Sequence, residues 1–467
     1  VSPERTAFLR ALVAVVGNEG LRVGEQLDAV DPGMHPQNLS AGLMARPADS
    51  TEVARVLALC AQAGIGVVPQ GGRTGLSGAA CSEDGQLILS LDRMNHIESV
   101  DARARTATVE AGVTLERLGE ALAPQGLSPG IDLGARGTAT IGGMVATNAG
   151  GIDAFRHGTM RQRILGLEVA LASGEVLSEL SRIRKDNAGL PLRQLFIGSE
   201  GTLGVITRAV LSLVPASGPR HTVLALLPDL DAAIALMLSI EAKPPLCLAA
   251  AELMSGNHIA LTARALGMAQ LAGLPEAAFG LLIAVSGASS EVMAAAVEEI
   301  LARAVETGLV IDCVLPKSAA EERDLWRVRE DWAVDRTYPG GLWYDVSVPI
   351  SALAHYVARL SADLARHDAN LRLYIVGHLA DGNIHLTINA AEPLTARYAQ
   401  IAAIAYEGLR ELGGSFSAEH GIGLEKRDSL EHWAGAVSLR LMRSVKAVFD
   451  PSGIMNPGKV IRQQGYV

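Results

Sequence analysis

The chain has 467 residues, 49% of them hydrophobic and 19% charged, a balance that excludes disorder because so apolar a chain can offset the entropy of ordering. At roughly 100 to 200 residues per domain, the length implies two or three domains. A formal charge of -10 argues against nucleic acid or an anionic membrane as the main partner, since both need a surplus of Lys and Arg.

Cys60, Cys81, Cys247 and Cys313 form no C-x-x-C pair, so a disulfide framework, an iron–sulfur relay and a zinc ribbon are not indicated, and a reducing cytoplasm fits. No apolar run approaches the ~20 residues that span a bilayer. The segment from Ser2 to Val16 carries Glu4, Arg5 and Arg10, unlike a signal peptide. A soluble, cytoplasmic protein is expected.

Asp49 and Ser50 are candidate N-caps for a helix from Thr51 to Ala63, which Gly64 ends before an apolar strand over Ile65 to Val68. Strands are expected at Leu87 to Leu91 and Thr106 to Glu110, and a helix from Leu115 to Leu122. Regular structure then thins out across the glycine-rich tract from Gly126 to Gly151. A strand at Leu195 to Ile197 runs into Gly198-Ser199-Glu200-Gly201-Thr202-Leu203-Gly204 and a further strand from Val205 to Leu213. Pro215-Ala216-Ser217-Gly218-Pro219 reads as a linker. Beyond it, strands alternate with Ala-rich helices such as Ser290 to Thr307, the pattern of an α+β domain with an antiparallel sheet.

Glycine is the compositional anomaly: 49 residues, about 10% against a usual ~7%, and clustered. Pro69-Gln70-Gly71-Gly72-Arg73-Thr74-Gly75-Leu76-Ser77-Gly78 follows a strand, and backbone N–H groups in so bare a turn can converge on phosphate oxygens. It is neither a Walker A loop, lacking the Lys before Thr, nor a dinucleotide fingerprint, because the spacing is GxxGxxG. Packing alone explains about half of such lone loops. A second tract, Ile141-Gly142-Gly143-Met144-Val145-Ala146-Thr147-Asn148-Ala149-Gly150-Gly151, suits main chain lying against a large planar ligand.

In Gly377-His378-Leu379-Ala380-Asp381-Gly382-Asn383-Ile384-His385 the Asp-Gly pair signals a two-residue hairpin turn. Counting back from it pairs Ala380 with Asn383, Leu379 with Ile384 and His378 with His385, so both imidazoles share one face with Asn383 and Ala380. Such a pair can hold one divalent metal, or simply stack at a surface. Ser417-Ala418-Glu419-His420-Gly421-Ile422-Gly423 offers a third ligand, with Glu419 and His420 pointing opposite ways in extended backbone.

Taken together and in order, PQGGRTGLSG, IGGMVATNAGG, FIGSEGTLGVIT, GHLADGNIH, SAEHGIG and DPSGIMNPGK resemble the FAD-dependent D-2-hydroxyacid dehydrogenases of the vanillyl-alcohol-oxidase (PCMH-type) superfamily. The resemblance covers nearly the whole chain. It implies an α+β fold, with a PCMH-type FAD-binding domain of two α+β lobes over 1–215. It further implies an α+β cap domain with an antiparallel sheet over 216–415, and a segment over 416–467 that returns to the flavin.

By the same resemblance, Pro69, Gly71, Gly72, Arg73, Thr74, Gly75, Leu76 and Ser77 cradle the cofactor's pyrophosphate. Gly142, Gly143, Thr147, Asn148, Gly150, Glu200, Gly201, Ile206 and Asn456 complete the FAD site. No His lies between Pro69 and Gly78, so non-covalent FAD is expected. His378, His385 and Glu419 match metal ligands, for zinc first and Mn, Co or Fe as substitutes. His420 matches the general base, Arg329 the grip on the substrate carboxylate, and Asn383 and Trp343 further substrate contacts. The implied reaction takes a D-2-hydroxy acid to the 2-oxo acid. Its electrons would go to a carrier other than NAD, such as an electron-transfer flavoprotein or quinone, and a homodimer is compatible.

Hydroxyglutarate-specific relatives place a threonine and a lysine near Ala333 and Trp343. Unless Arg336 or Arg327 substitutes, a monocarboxylic or hydrophobic substrate is expected, with D-2-hydroxyglutarate as the alternative. An oxygen-using flavin oxidase is a second alternative. A flavin-free metal hydrolase or lyase is a third.

Overall fold

The computed structural model describes residues 3–275, 277–287 and 289–462. The chain divides into two compact units, Val1–Ala216 with Glu419–Val467, and Ser217–Ala418.

Among the described residues the first unit holds, besides a two-stranded sheet that pairs Leu127–Ser128 with Val214–Pro215, two larger sheets. In one, Val67–Gln70 and Leu87–Ser90 pair in parallel, as do Leu43–Ala45 and Leu87–Ser90. Helix Ser50–Ala63 begins where Asp49 accepts a hydrogen bond from the Glu52 amide and ends at left-handed Gly64. It buries Val53, Val56, Leu57 and Cys60, which join Val67, Leu87 and Leu89 in one core. The other sheet is five-stranded and antiparallel, running Ile97–Asp101, Thr106–Glu110, Val205–Ser212, Ile164–Ala170, Val176–Glu179.

Two expected elements differ. Residues 195–197 are not a strand: Arg193–Phe196 form one helical turn that sinks Phe196 into the core. The glycine-rich tract contains a helix, Ile141–Thr147. Thr140 starts it, left-handed Asn148 (φ 55°) ends it, and Gly142 lets it press on Ala111, where a Cβ would meet the alanine methyl at 2.6 Å. Close packing overrides the poor helix propensity of glycine here.

After Ala418 the chain re-enters the first unit. Met455 forms a parallel bridge with Val67. Asp450 accepts from the amides of Ile454 and Met455, and the buried Lys446 ammonium donates to Asp450, Thr202 O and Met455 O. The Asp-Pro-Ser-Gly run is therefore a fixed turn that carries Asn456.

The second unit is a seven-stranded antiparallel sheet. Its order is Asp312–Val314, Arg220–Leu227, Phe279–Ser286, Cys247–Ser255, Arg372–His378, Asn383–Asn389, Leu342–Ser347. Helices Gly256–Ala265 and Ala319–Glu330 pack Ile259, Leu325 and Val328 against Leu224, Met254, Leu282 and Val376 on one face. Glu252, His378, His385 and Asp345 stand on that face. Among the described residues no helix is long and apolar enough to cross a membrane.

Candidate active site

The hairpin register differs from the count made on sequence. His378 pairs with Asn383, Gly377 with Ile384 and Val376 with His385. Leu379–Asp381 form a 3-10 turn closed by left-handed Gly382, so the loop is four residues rather than two. A slip of two keeps every side chain on its face, whereas a slip of one would have reversed them all. The imidazoles thus still share a face as diagonal neighbours, with ring centroids 5.8 Å apart, while Ala380 leaves it for the turn.

Each imidazole faces a buried carboxylate on the adjoining strand. Glu252 lies opposite His378, with Oε1 2.7 Å from Nδ1, and Asp345 lies opposite His385, with Oδ1 3.6 Å from Nδ1. The first contact is a hydrogen bond that orients the His378 ring, the usual arrangement behind a metal-binding histidine, whereas the second is longer than a hydrogen bond. The donor set fits a divalent ion. Neither carboxylate stood out on sequence. Their signal is a single acid in an apolar strand, in Ala249-Ala250-Ala251-Glu252-Leu253 and Trp343-Tyr344-Asp345-Val346.

Arg329, at the end of the covering helix, donates from Nε to the other Glu252 oxygen at 2.8 Å. Burial alone would push the Glu252 carboxyl up. The charges and hydrogen bonds of His378 and Arg329 outweigh it and hold the group below the ordinary value. Asn383 Nδ2 donates to Asp345 Oδ1 at 2.8 Å and to Val346 O at 3.0 Å. The indole of Trp343 donates to Asp335 Oδ1 at 2.6 Å and stacks obliquely on Trp332, centroids 5.3 Å apart. Ala333 is buried. Arg336 pairs with Asp331 at 2.5 Å and Arg327 with Asp324 at 3.0 Å, both arginines more than half exposed.

In the first unit the two glycine tracts meet. A Cβ on Gly71 would lie 2.2 Å from Thr140 Oγ1, and one on Gly72 would lie 1.9 Å from Thr138 O. These two glycines serve loop-on-loop packing. Gly75 is different: it is exposed and faces no atom within 4 Å, leaving bare main chain of the kind a dinucleotide can approach. Pro69, Thr74 and Leu76 are half-buried beside it, and Gly143 is half-buried where Gly142 is not. The cradle therefore fits FAD, with fewer open glycines than the sequence suggested.

Other expected cofactor residues hold the loops in place. Arg73, left-handed at φ 55°, donates from Nε to Asp31 O. Thr147 Oγ1 donates to Gly143 O, and Asn148 Oδ1 accepts from Thr159 Oγ1 and the Arg161 amide. Gly150 and Ile206 are buried, and Gly201 packs on Pro69.

Glu200 is fully enclosed and accepts from the amides of Ile422 (2.7 Å) and Gly423 (2.8 Å). Burial pushes its carboxyl up, and those two amides with Lys426 offset the shift only in part. Asn456 Nδ2 donates to Glu200 O and Ala79 O. Ser77 Oγ donates to His420 O at 2.9 Å. These bonds fix the returning segment, and with it His420, beside the first glycine loop. Glu419 and His420 sit in a bend rather than extended chain and do not diverge: His420 Nε2 is 4.0 Å from Glu419 Oε1.

Comparison with known proteins agrees with this division. Residues 41–179 match the FAD binding domain family, and residues 218–460 match the family of FAD linked oxidases, C-terminal domain. Together they define a flavin-linked oxidoreductase. The chain is 34% identical over 478 residues to the mitochondrial D-2-hydroxyglutarate dehydrogenase of Bos taurus, covering 99% of this chain and 87% of that one. It is 36% identical over 427 residues to the probable enzyme of that name from Oryza sativa subsp. indica, covering 91% and 76%. The chain belongs to the FAD-dependent D-2-hydroxyacid dehydrogenase family. Its fold is of the PCMH type: p-cresol methylhydroxylase superposes with a TM-score of 0.73 at 18% identity, over 98% of this chain and 97% of that one.

Proposed function

We propose that the protein oxidises a D-2-hydroxy acid to the 2-oxo acid with metal assistance, and that its substrate is a monocarboxylic or hydrophobic one. The observation that carries this reading is the pair of imidazoles, each backed by a buried carboxylate, in a chain of flavin-dehydrogenase family. When bound, FAD supplies the hydride acceptor and a divalent ion, zinc first, the Lewis acid that acidifies the substrate hydroxyl.

The chain's own residues do the rest. His378 and His385 would hold the ion, His378 through Nε2 because its Nδ1 is bonded to Glu252. Glu419 is the proposed third ligand. It directly follows Ala418, whose amide donates to Asp345 Oδ2 at 3.0 Å. Arg329 is bound to Glu252 through Nε, and its two Nη groups offer the planar fork that matches a carboxylate. His420, held at its carbonyl by Ser77, takes the hydroxyl proton as general base. A flavoprotein or quinone is the proposed electron acceptor.

The preference for one carboxylate is supported by the two arginines that could have held a second: Arg336 and Arg327 are both committed to surface pairs. Likeness to relatives named D-2-hydroxyglutarate dehydrogenase favours the dicarboxylate as the second reading. A dye-reduction screen of D- and L-2-hydroxy acids, with and without chelator, tests both. D-specific, chelator-sensitive activity on monocarboxylates is expected. Activity confined to L-isomers would remove the reading, and D-2-hydroxyglutarate as best substrate would replace the preference.

A further inference from the structure

Asp335 has no role in the chemistry above. It lies on the short helix Ala333–Thr337, half-buried, with Oδ1 2.6 Å from the indole nitrogen of Trp343. No ion pair reaches it among the described residues, and the neighbouring Arg336 is committed to Asp331. The Asp335 carboxylate is thus fixed by the indole, with Arg336 acting on it only at longer range, although burial disfavours its charge.

The sheet register shows which face this is. Asp345 is paired with His385, and two residues back along the strand Trp343 is paired with Thr387, which pairs in turn with Tyr374. Residues two apart share a face and lie about 7 Å apart. The row Trp343, Thr387, Tyr374 is therefore the next step along the sheet from the histidine row. Aromatic rings stand at both its ends, Trp343 backed by Trp332 and Tyr374 by Tyr338. Thr387 and Tyr374 are buried, whereas Trp343 and Asp335 are part-exposed, so a 2-hydroxy acid held at the histidines whose chain extends toward Trp343 meets the Asp335 carboxylate.

We infer that Asp335 is a specificity-determining residue: its carboxylate, fixed beside Trp343, rejects substrates with a second carboxylate and selects D-2-hydroxy acids with uncharged, apolar side chains. The inference rests on the reading of the protein as a D-2-hydroxyacid dehydrogenase. Like charges brought together in a partly dry site repel strongly, and such repulsion is an effective route to selectivity.

The test compares kcat/KM for D-2-hydroxyisocaproate and D-2-hydroxyglutarate in the FAD- and metal-loaded wild type, in Asp335→Asn and in Trp343→Phe. Asn keeps an acceptor for the indole and loses the charge; Phe keeps a ring and releases the carboxylate. Wild type is expected to favour the isocaproate. Asp335→Asn should raise kcat/KM for the glutarate about tenfold, mostly through KM, with the isocaproate value within about twofold, the size expected for one screened like-charge contact. Trp343→Phe should narrow the ratio less, and 0.5 M salt should narrow it in wild type but not in Asp335→Asn. An unchanged ratio in both variants, or a wild type that prefers the glutarate, overturns the inference while leaving the dehydrogenase reading intact. Failure of all proteins to oxidise either D-acid overturns that reading and this inference with it.

Discussion

Glu252 and His378 face each other across adjacent antiparallel strands with Oε1 2.7 Å from Nδ1, and the second Glu252 oxygen holds Arg329 at 2.8 Å. One buried carboxylate thus orients both a proposed metal ligand and the proposed substrate clamp. Removing its charge disturbs both at once. Glu252→Gln is expected to lower metal affinity 10- to 100-fold, roughly the effect of losing a ligand's outer hydrogen-bond partner, and to raise KM. Stability should fall by about 3 kcal/mol, because Arg329 loses its buried counter-charge. Metal content by mass spectrometry, steady-state kinetics and thermal melting check this. Unchanged metal content would show that the carboxylate only packs.

The second unit should be acid-sensitive through His258. Its ring is buried against Val328 O at 3.0 Å, and burial lowers its pKa from 6.5 to about 4. The neutral ring is the one the fold accommodates, so stability is complete above about pH 6.5 and is lost as pH falls toward 4. The fall from 6.5 to about 4 corresponds to about 3 kcal/mol at full protonation. His258→Gln should flatten the wild-type decline in melting temperature over that window. A parallel decline in both proteins would assign it to other groups.

The returning segment depends on Glu200. Replacing it with Ala strands the amides of Ile422 and Gly423 and is expected to cost about 2 to 4 kcal/mol. Limited proteolysis should then cut near residues 419–425 faster than in wild type, and FAD should dissociate more readily. Cleavage at the wild-type rate would count against the segment's being held there.

Two glycines of the first loop should separate packing from binding. Gly72→Ala puts a methyl 1.9 Å from a main-chain carbonyl oxygen, whereas Gly75→Ala meets nothing within 4 Å. The first should destabilise even the FAD-free protein by ~2 kcal/mol or more. The second should leave the FAD-free melting temperature unchanged and weaken FAD binding. Equal melting losses in both would show that Gly75 is a packing residue too.

Local signals in the sequence identified many elements and missed what depends on distant chain. The helix at Ser50–Ala63 was readable because its Asp cap and terminal glycine lie next to it. The helix at Ile141–Thr147 was not, since its reason is Ala111, some thirty residues away. The Asp-Gly signal located the hairpin but not its register: Gly382 is pressed against Val348 O, where a Cβ would lie at 2.0 Å, and Asp381 Oδ1 accepts from the Asn383 amide, which widens the turn. The histidine face survived that error because the slip was even. Glu252 and Asp345 became meaningful only once the sheet set them opposite His378 and His385.

The most direct test of metal-assisted oxidation of a D-2-hydroxy acid is anaerobic mixing of the FAD-loaded protein with D- and L-isomers while the flavin absorbance is followed. The account predicts rapid bleaching by the D-isomer in metal-loaded protein, with at least a hundredfold slower bleaching after chelation or in His378→Asn/His385→Asn, whose flavin spectra before mixing are unaltered. Bleaching at the same rate without metal, or by the L-isomer alone, would contradict it.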